Sequence, residues 1–220
     1  LSVVISGFTP VTDIRKTVTP ELKDIEDSAL FLIDLGLGQA RMAGSALTQV
    51  WKNLAGTAPD ITPEVLSIFY NNIQKLVSEQ IILAYHDRSD GGLLTTLAEM
   101  CFTARVGMTL DIVNIIDTML KSGSEQKGIR NMRAAALFNE ELGAVIQIRK
   151  SDQEQLISLF ENTPIANHIY LLGQTNTVDR LIINHGKEVI FNESRLELQK
   201  TWSETSFQIQ LLRDNPECAR

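Results

Sequence analysis

The sequence predicts an α/β fold, α+β in its second half, as a single domain over residues 1–220 with a mixed sheet flanked by helices. Three observations predict it. Apolar runs suited to strands alternate with segments of helical spacing between residues 28 and 162. Three strand-like stretches follow one another between 168 and 194. A long helical pattern over 193–212 closes the chain, and no repeat or linker-like composition divides it.

Each element has its own signal. Residues 1–11, "LSVVISGFTPV", alternate and are rich in Val, which suits a strand; the polar stretch 12–27 suits a loop. "SALFLIDLG" (28–36) is a continuous apolar run ending in Gly, as in a strand buried on both faces. Ser45 can cap a helix that sets Leu47, Val50, Trp51 and Leu54 at helical spacing. Pro63 opens a helix to about Gln80 with Val65, Ile68, Phe69, Ile73, Leu76 and Val77 on its inner face. "IILAYHD" (81–87) is a strand, 91–105 a helix with Leu94, Leu97, Ala98, Cys101 and Phe102 inward, and "GMTLDI" (107–112) a strand. Within 114–132 a run of Gly, Ser, Lys and Gln breaks the pattern and reads as an exposed, insertion-like loop. "LGAVIQIR" (142–149) is a strand, and the helix over 151–162 opens on a capping box at Ser151. Trp202, with Phe207 and Ile209, reads as core packing of the last helix.

Bulk properties narrow the function. A composition 44% hydrophobic and 21% charged can bury a core. A net charge of −7 argues against nonspecific nucleic-acid binding, though not against a nucleotide held through Mg²⁺. No run of about 18 apolar residues spans a membrane, and the apolar start carries no basic leader. The chain opens without Met and reads as a piece of a longer polypeptide. Cys101 and Cys218 lack partners at ligand spacing; Cys101 is expected to be a buried small hydrophobe in a reducing cytoplasm.

"AYHDRSDGGLLTTLAEM" (84–100) carries the chemistry. A strand ends near His86 and turns into a helix at Gly91, with Asp87 and Asp90 at the carboxyl end of the strand, where α/β sheets bind ligands. Gly91 and Gly92 lack a Cβ, so a phosphate can approach the helix N-terminus, and Mg²⁺ takes one or two carboxylates plus phosphate oxygens. Equally, Ser89 or Asp90 serves as an ordinary N-cap. Two further stretches compete. One is the glycine-rich "DLGLGQARMAGSAL" (34–47) with Gly36, Gly38, Gly44 and Ser45, otherwise a flexible turn. The other is Asn139, Glu140 and Glu141 before a buried strand, otherwise plain surface residues. His86, His168 and His185 show no ligand spacing, and His86 is read as structural.

"HDRSDGGLLTTLAEM", "FNEELGAVIQIR", "TWSETSFQIQLLRDNP" and "LIDLGLGQARMAGSALTQV" together resemble the phosphoribosylformylglycinamidine synthase family of purine biosynthesis, although Ala43 stands where that family often has Gly. The resemblance runs in order along essentially the whole chain. It is to the C-terminal domain of the second aminoimidazole ribonucleotide (AIR) synthase-like half of the large form. It implies a partly ferredoxin-like α/β domain. For the parent it implies an ATP-dependent ligase that turns formylglycinamide ribonucleotide and glutamine into the amidine, with ADP, phosphate and glutamate. Partners would be the remaining ATP-binding halves and a glutaminase domain, and cofactors Mg²⁺ and ATP or ADP. By position in the motif, Asp87 is implied as a Mg²⁺ ligand and Ser89 as a nucleotide contact. Asp90, Gly91 and Gly92 would complete the nucleotide-binding loop, and no residue here would be catalytic. The cleft implied holds an unreacted nucleotide. Two alternatives stand beside this one: a smaller ATP-using relative of the superfamily, and a scaffold domain whose loop only caps a helix.

Overall fold

The structure, a computed structural model, describes residues 6–11, 13–23, 26–53, 56–215 and 217–218. Among them, seven strands form one mixed sheet in the order β2-β4-β1-β5-β3-β6-β7. These are β1 (Ser28–Asp34), β2 (Ile82–Asp87), β3 (Gly107–Asp111), β4 (Gly143–Arg149), β5 (Ile169–Asn176), β6 (Arg180–His185) and β7 (Glu188–Ser194). All neighbours are antiparallel except β3 and β6. The α/β class and the mixed sheet are as the sequence predicts.

β1 explains the layering. Every residue from Ser28 to Asp34 is buried, because successive side chains point to opposite faces and both faces are covered. Leu30 and Leu32 join a core with Leu93, Leu97, Met100, Ile116, Met119 and Ala135. These come from α3 (Gly92–Ala104), α4 (Val113–Lys121) and α5 (Ile129–Phe138). Ala29, Phe31 and Ile33 join a second core with Val65, Phe69, Ile73, Leu76, Leu156 and Phe160, from α2 (Pro63–Ser78) and α6 (Gln153–Phe160). Thr62 caps α2, with Pro63 in its first turn, where a missing N–H costs nothing.

Several expectations are corrected. The strand expected over 1–11 falls partly outside the described residues, and 6–11 have no regular structure. α1 (Ala46–Val50) is capped by Ser45 as expected but ends after five residues. Val50 and Trp51 lie exposed, and Leu54 is outside the described residues. Within 114–132, α4 and α5 occupy the two ends, against expectation, while the connection 122–128 between them is the mostly exposed loop expected, with only Ser124 buried in it. Ser151 makes no capping box: it lies in a 3-10 turn, its hydroxyl on Asp152, and α6 starts two residues later. Trp202, on α7 (Arg195–Arg213), is 59% exposed. Its ring lies 5.8 Å from that of Phe102 and its Nε1 donates to Glu99 Oε1 at 2.9 Å, so it fastens α7 to the outside of α3 and fills no core.

Candidate functional site

Three segments that are far apart in sequence meet at one end of the sheet: the β1–α1 connection (35–45), the β2–α3 turn (88–91) and the α5–β4 turn (139–142). β4 lies between β1 and β2, so its start, Gly143, pairs with Asp34 on one side and Ala144 pairs with Asp87 on the other. Strand order alone brings the candidate motifs together.

Asp34 ends β1 buried. Its carboxylate accepts from the amides of Gly36 at 3.2 Å and Gly38 at 2.9 Å, and pairs with Arg88. Arg88 is 4% exposed. Its Nε also donates to the Glu141 carbonyl at 2.5 Å and its Nη2 to the Leu142 carbonyl at 3.1 Å. A buried guanidinium needs this set of acceptors, because burying a charge without partners costs several kcal/mol. Glu141, 1% exposed, receives Arg41 through the backbone N–H at 2.9 Å, Nε at 2.7 Å and Nη2 at 2.8 Å. That contact raises the Arg41 pKa further above its ordinary value. Glu140 Oε1 accepts from Gly91 N and from Ala46 N, both at 2.8 Å, so one carboxylate oxygen joins the entries of α3 and α1.

The glycine-rich stretch 34–47 is therefore no flexible turn, and Asn139 and Glu141 are no surface residues. The 122–128 connection reaches it too: Ser122 Oγ donates to Gly38 O at 2.7 Å and Ser124 Oγ to Gln39 O at 2.8 Å. Sequence reasoning passed over Asp34, Arg88 and Arg41. The available signal was an aspartate inside an otherwise apolar run, which has to be partnered if the run is buried.

The five residues singled out in the β2–α3 turn divide in two. Asp87, Ser89 and Asp90 are exposed. Asp87 Oδ1 accepts the Tyr85 hydroxyl at 2.5 Å. Burial first, then this carboxylate, pushes the Tyr85 pKa well above the phenol range, so the hydroxyl stays a donor. Gly92 is buried and Gly91 half-buried, and both adopt positive φ, 68° and 85°. The Gly91 amide is taken by Glu140 and the Gly92 amide by the Ser89 carbonyl at 2.9 Å. A Cβ on Gly92 would stand 2.6 Å from the Asn139 carbonyl oxygen, so close packing against the α5–β4 turn itself requires glycine there. His86 pairs with Glu99 at 2.7 Å, in keeping with a structural role. Tested against Mg²⁺ and a nucleotide, the residues offer one exposed carboxylate beside a second carboxylate and a hydroxyl. Among the described residues, no group of three or more His, Cys, Asp or Glu is placed to hold a metal.

The family model described as "AIR synthase related protein, C-terminal domain" matches residues 34–186, well over half of the chain, from the end of β1 to the turn after β6. The chain belongs to that family. Among solved structures, phosphoribosylformylglycinamidine synthase II from Thermotoga maritima matches with a TM-score of 0.62 at 7% identity, covering 84% of this chain and 28% of that one. T. maritima PurL complexed with ATP matches with a TM-score of 0.59 at 7% identity, covering 84% and 27%. E. coli HypE, a hydrogenase maturation protein, gives 0.52 at 14% identity, covering 81% and 51%. At such identities the likeness is one of fold, and one AIR synthase-related fold serves proteins of different function. This chain spans little more than a quarter of the T. maritima chains and about half of HypE. No helix among the described residues is long and apolar enough to cross a membrane.

Proposed function

We propose that this chain is a single AIR synthase-related domain of a phosphoribosylformylglycinamidine synthase, and that it supplies half of a site holding Mg²⁺ and ATP or ADP. The other half, the catalytic groups and the ammonia source belong to the remaining domains of that cytoplasmic ligase. The observation that carries this reading is the division within the β2–α3 turn. Arg88, Gly91 and Gly92 are spent on anchoring, which leaves Asp87, Ser89 and Asp90 displayed on a turn that cannot drift. When bound, Mg²⁺ would neutralise phosphate charge; Asp87 would hold it and Ser89 would meet the nucleotide. Asp90, Gly91 and Gly92 shape the loop. Solved relatives of this fold include PurL complexed with ATP and with ADP, which supports a nucleotide at this fold.

The test is Asp87→Asn in the full protein that carries this chain. Nucleotide retained through gel filtration and thermal stability are read together. Loss of the nucleotide should also remove stability, because a ligand at about 100 times its Kd stabilises the native state by about 2.7 kcal/mol. Retention of both sinks the nucleotide reading. It leaves a scaffold role for the turn, although no side chain of the turn caps α3: Glu140, from the α5–β4 turn, takes the Gly91 amide in place of Ser89 or Asp90.

A further inference from the structure

Tyr85 and Asp87 are two residues apart on β2, so their side chains stand on the same face of the sheet. His86, between them, points to the other face and pairs with Glu99 of α3. Tyr85 carries its hydroxyl on a fixed support. Its ring is half-buried and packs against the core that α2, α6 and β4 share. Its backbone pairs with Ile146 of β4, and its N–H donates to the Thr19 carbonyl at 3.0 Å.

From that support the hydroxyl donates to Asp87 Oδ1 at 2.5 Å. A phenylalanine ring would fill the same apolar layer, so packing does not account for the hydroxyl. A carboxylate on an exposed side chain turns freely in solvent; a hydrogen bond from a rigid neighbour fixes its rotation. The bond also divides the two oxygens of Asp87. Oδ1 is engaged by the phenol, while Oδ2 accepts no hydrogen bond from a described residue.

That division matters to a divalent ion. Ca²⁺ takes about six to eight oxygens in a flexible arrangement and grips carboxylates through one oxygen or through both. Mg²⁺ is smaller, demands octahedral geometry and keeps several waters, so a single carboxylate oxygen serves it. We infer that Tyr85 is a positioning residue that sets metal specificity at the β2–α3 turn: its hydroxyl presents Asp87 through Oδ2 alone, which favours Mg²⁺ over Ca²⁺. The inference rests on the reading of Asp87 as a metal ligand, and adds which residue sets the choice of ion.

The test is isothermal titration of the full protein that carries this chain, stripped with a chelator and supplied with excess ADP. Mg²⁺ and Ca²⁺ are titrated separately into the native sequence and into Tyr85→Phe, which keeps the ring in the core. The binding lost in Asp87→Asn identifies the ion at this turn. Removing the hydroxyl should weaken Mg²⁺ more than Ca²⁺ and move the ratio of their dissociation constants about tenfold towards Ca²⁺. Equal weakening of both ions, or an unmoved ratio, overturns the inference, because a residue that only packs does not tell the ions apart. A shift of the ratio that persists when Asp87→Asn is added also overturns it, since the ion then lies elsewhere. If Asp87→Asn alone leaves both affinities intact, the metal reading falls and the role of Tyr85 falls with it. Loss of both ions in Asp87→Asn beside an unmoved ratio in Tyr85→Phe overturns the role of Tyr85 alone.

Discussion

Asp34 and Asp87 end two strands of one sheet, with β4 between them, and the fold treats them in opposite ways. Asp34 is buried, receives two glycine amides and pairs with Arg88. Asp87 is exposed and receives the Tyr85 hydroxyl. The contrast is sharpest between neighbours, because Arg88 points into the protein while Asp87 beside it faces solvent. One short motif thus combines the charge that builds the turn with the charge the turn presents, and burial tells them apart.

Substitutions should break this contrast or sharpen it. Arg88→Met should cost most, about 3–5 kcal/mol in urea denaturation, since it leaves Asp34 charged and buried with its partner gone. An effect below about 1 kcal/mol would show that the ion pair does not hold the turn. Gly92→Ala should follow, at about 2–3 kcal/mol, because its Cβ meets the Asn139 carbonyl and its φ is positive. Asp87→Asn in this chain, with no nucleotide present, should change stability by less than about 0.5 kcal/mol, as exposed substitutions usually do. A large loss there would make Asp87 a structural residue like Asp34.

The smallest effect is one of pH. Burial lowers the His168 pKa, with Asp34 opposing that shift in part. Below the ordinary value of 6.5 the unfolded chain therefore binds more protons than the folded one, and stability falls as pH drops through that range. His168→Gln should flatten this slope in denaturation curves taken between pH 7 and pH 5, the interval around the free imidazole pKa.

Local order was largely legible in the sequence. β1 announced itself as a continuous apolar run, β4 as a strand of mostly apolar residues, and α2 by its spacing and its Pro63 start. The role of Trp202 was not legible, because spacing locates a helix face without saying what covers it. Nor did 114–132 read as two helices, since Gly123 and Gly128 interrupt the periodicity that α4 and α5 carry on either side. The candidate turn was visible as a motif, but its supports were not. Asp34 and Arg88 lie 54 residues apart, as do Leu142 and Arg88, and nothing local in the chain records that β4 will insert between β1 and β2.

That insertion has a consequence for synthesis. β1 is complete at Asp34 and β2 at Asp87, yet each pairs with β4, which ends at Arg149, and β1's other neighbour, β5, comes later still. A nascent chain therefore carries two strands with open edges until most of the sequence has been translated, and an apolar strand without a neighbour is prone to pair with another chain. Closing such distant pairings is slow. This fold should depend on folding helpers during translation more than its size suggests, and fragments ending before β4 should aggregate.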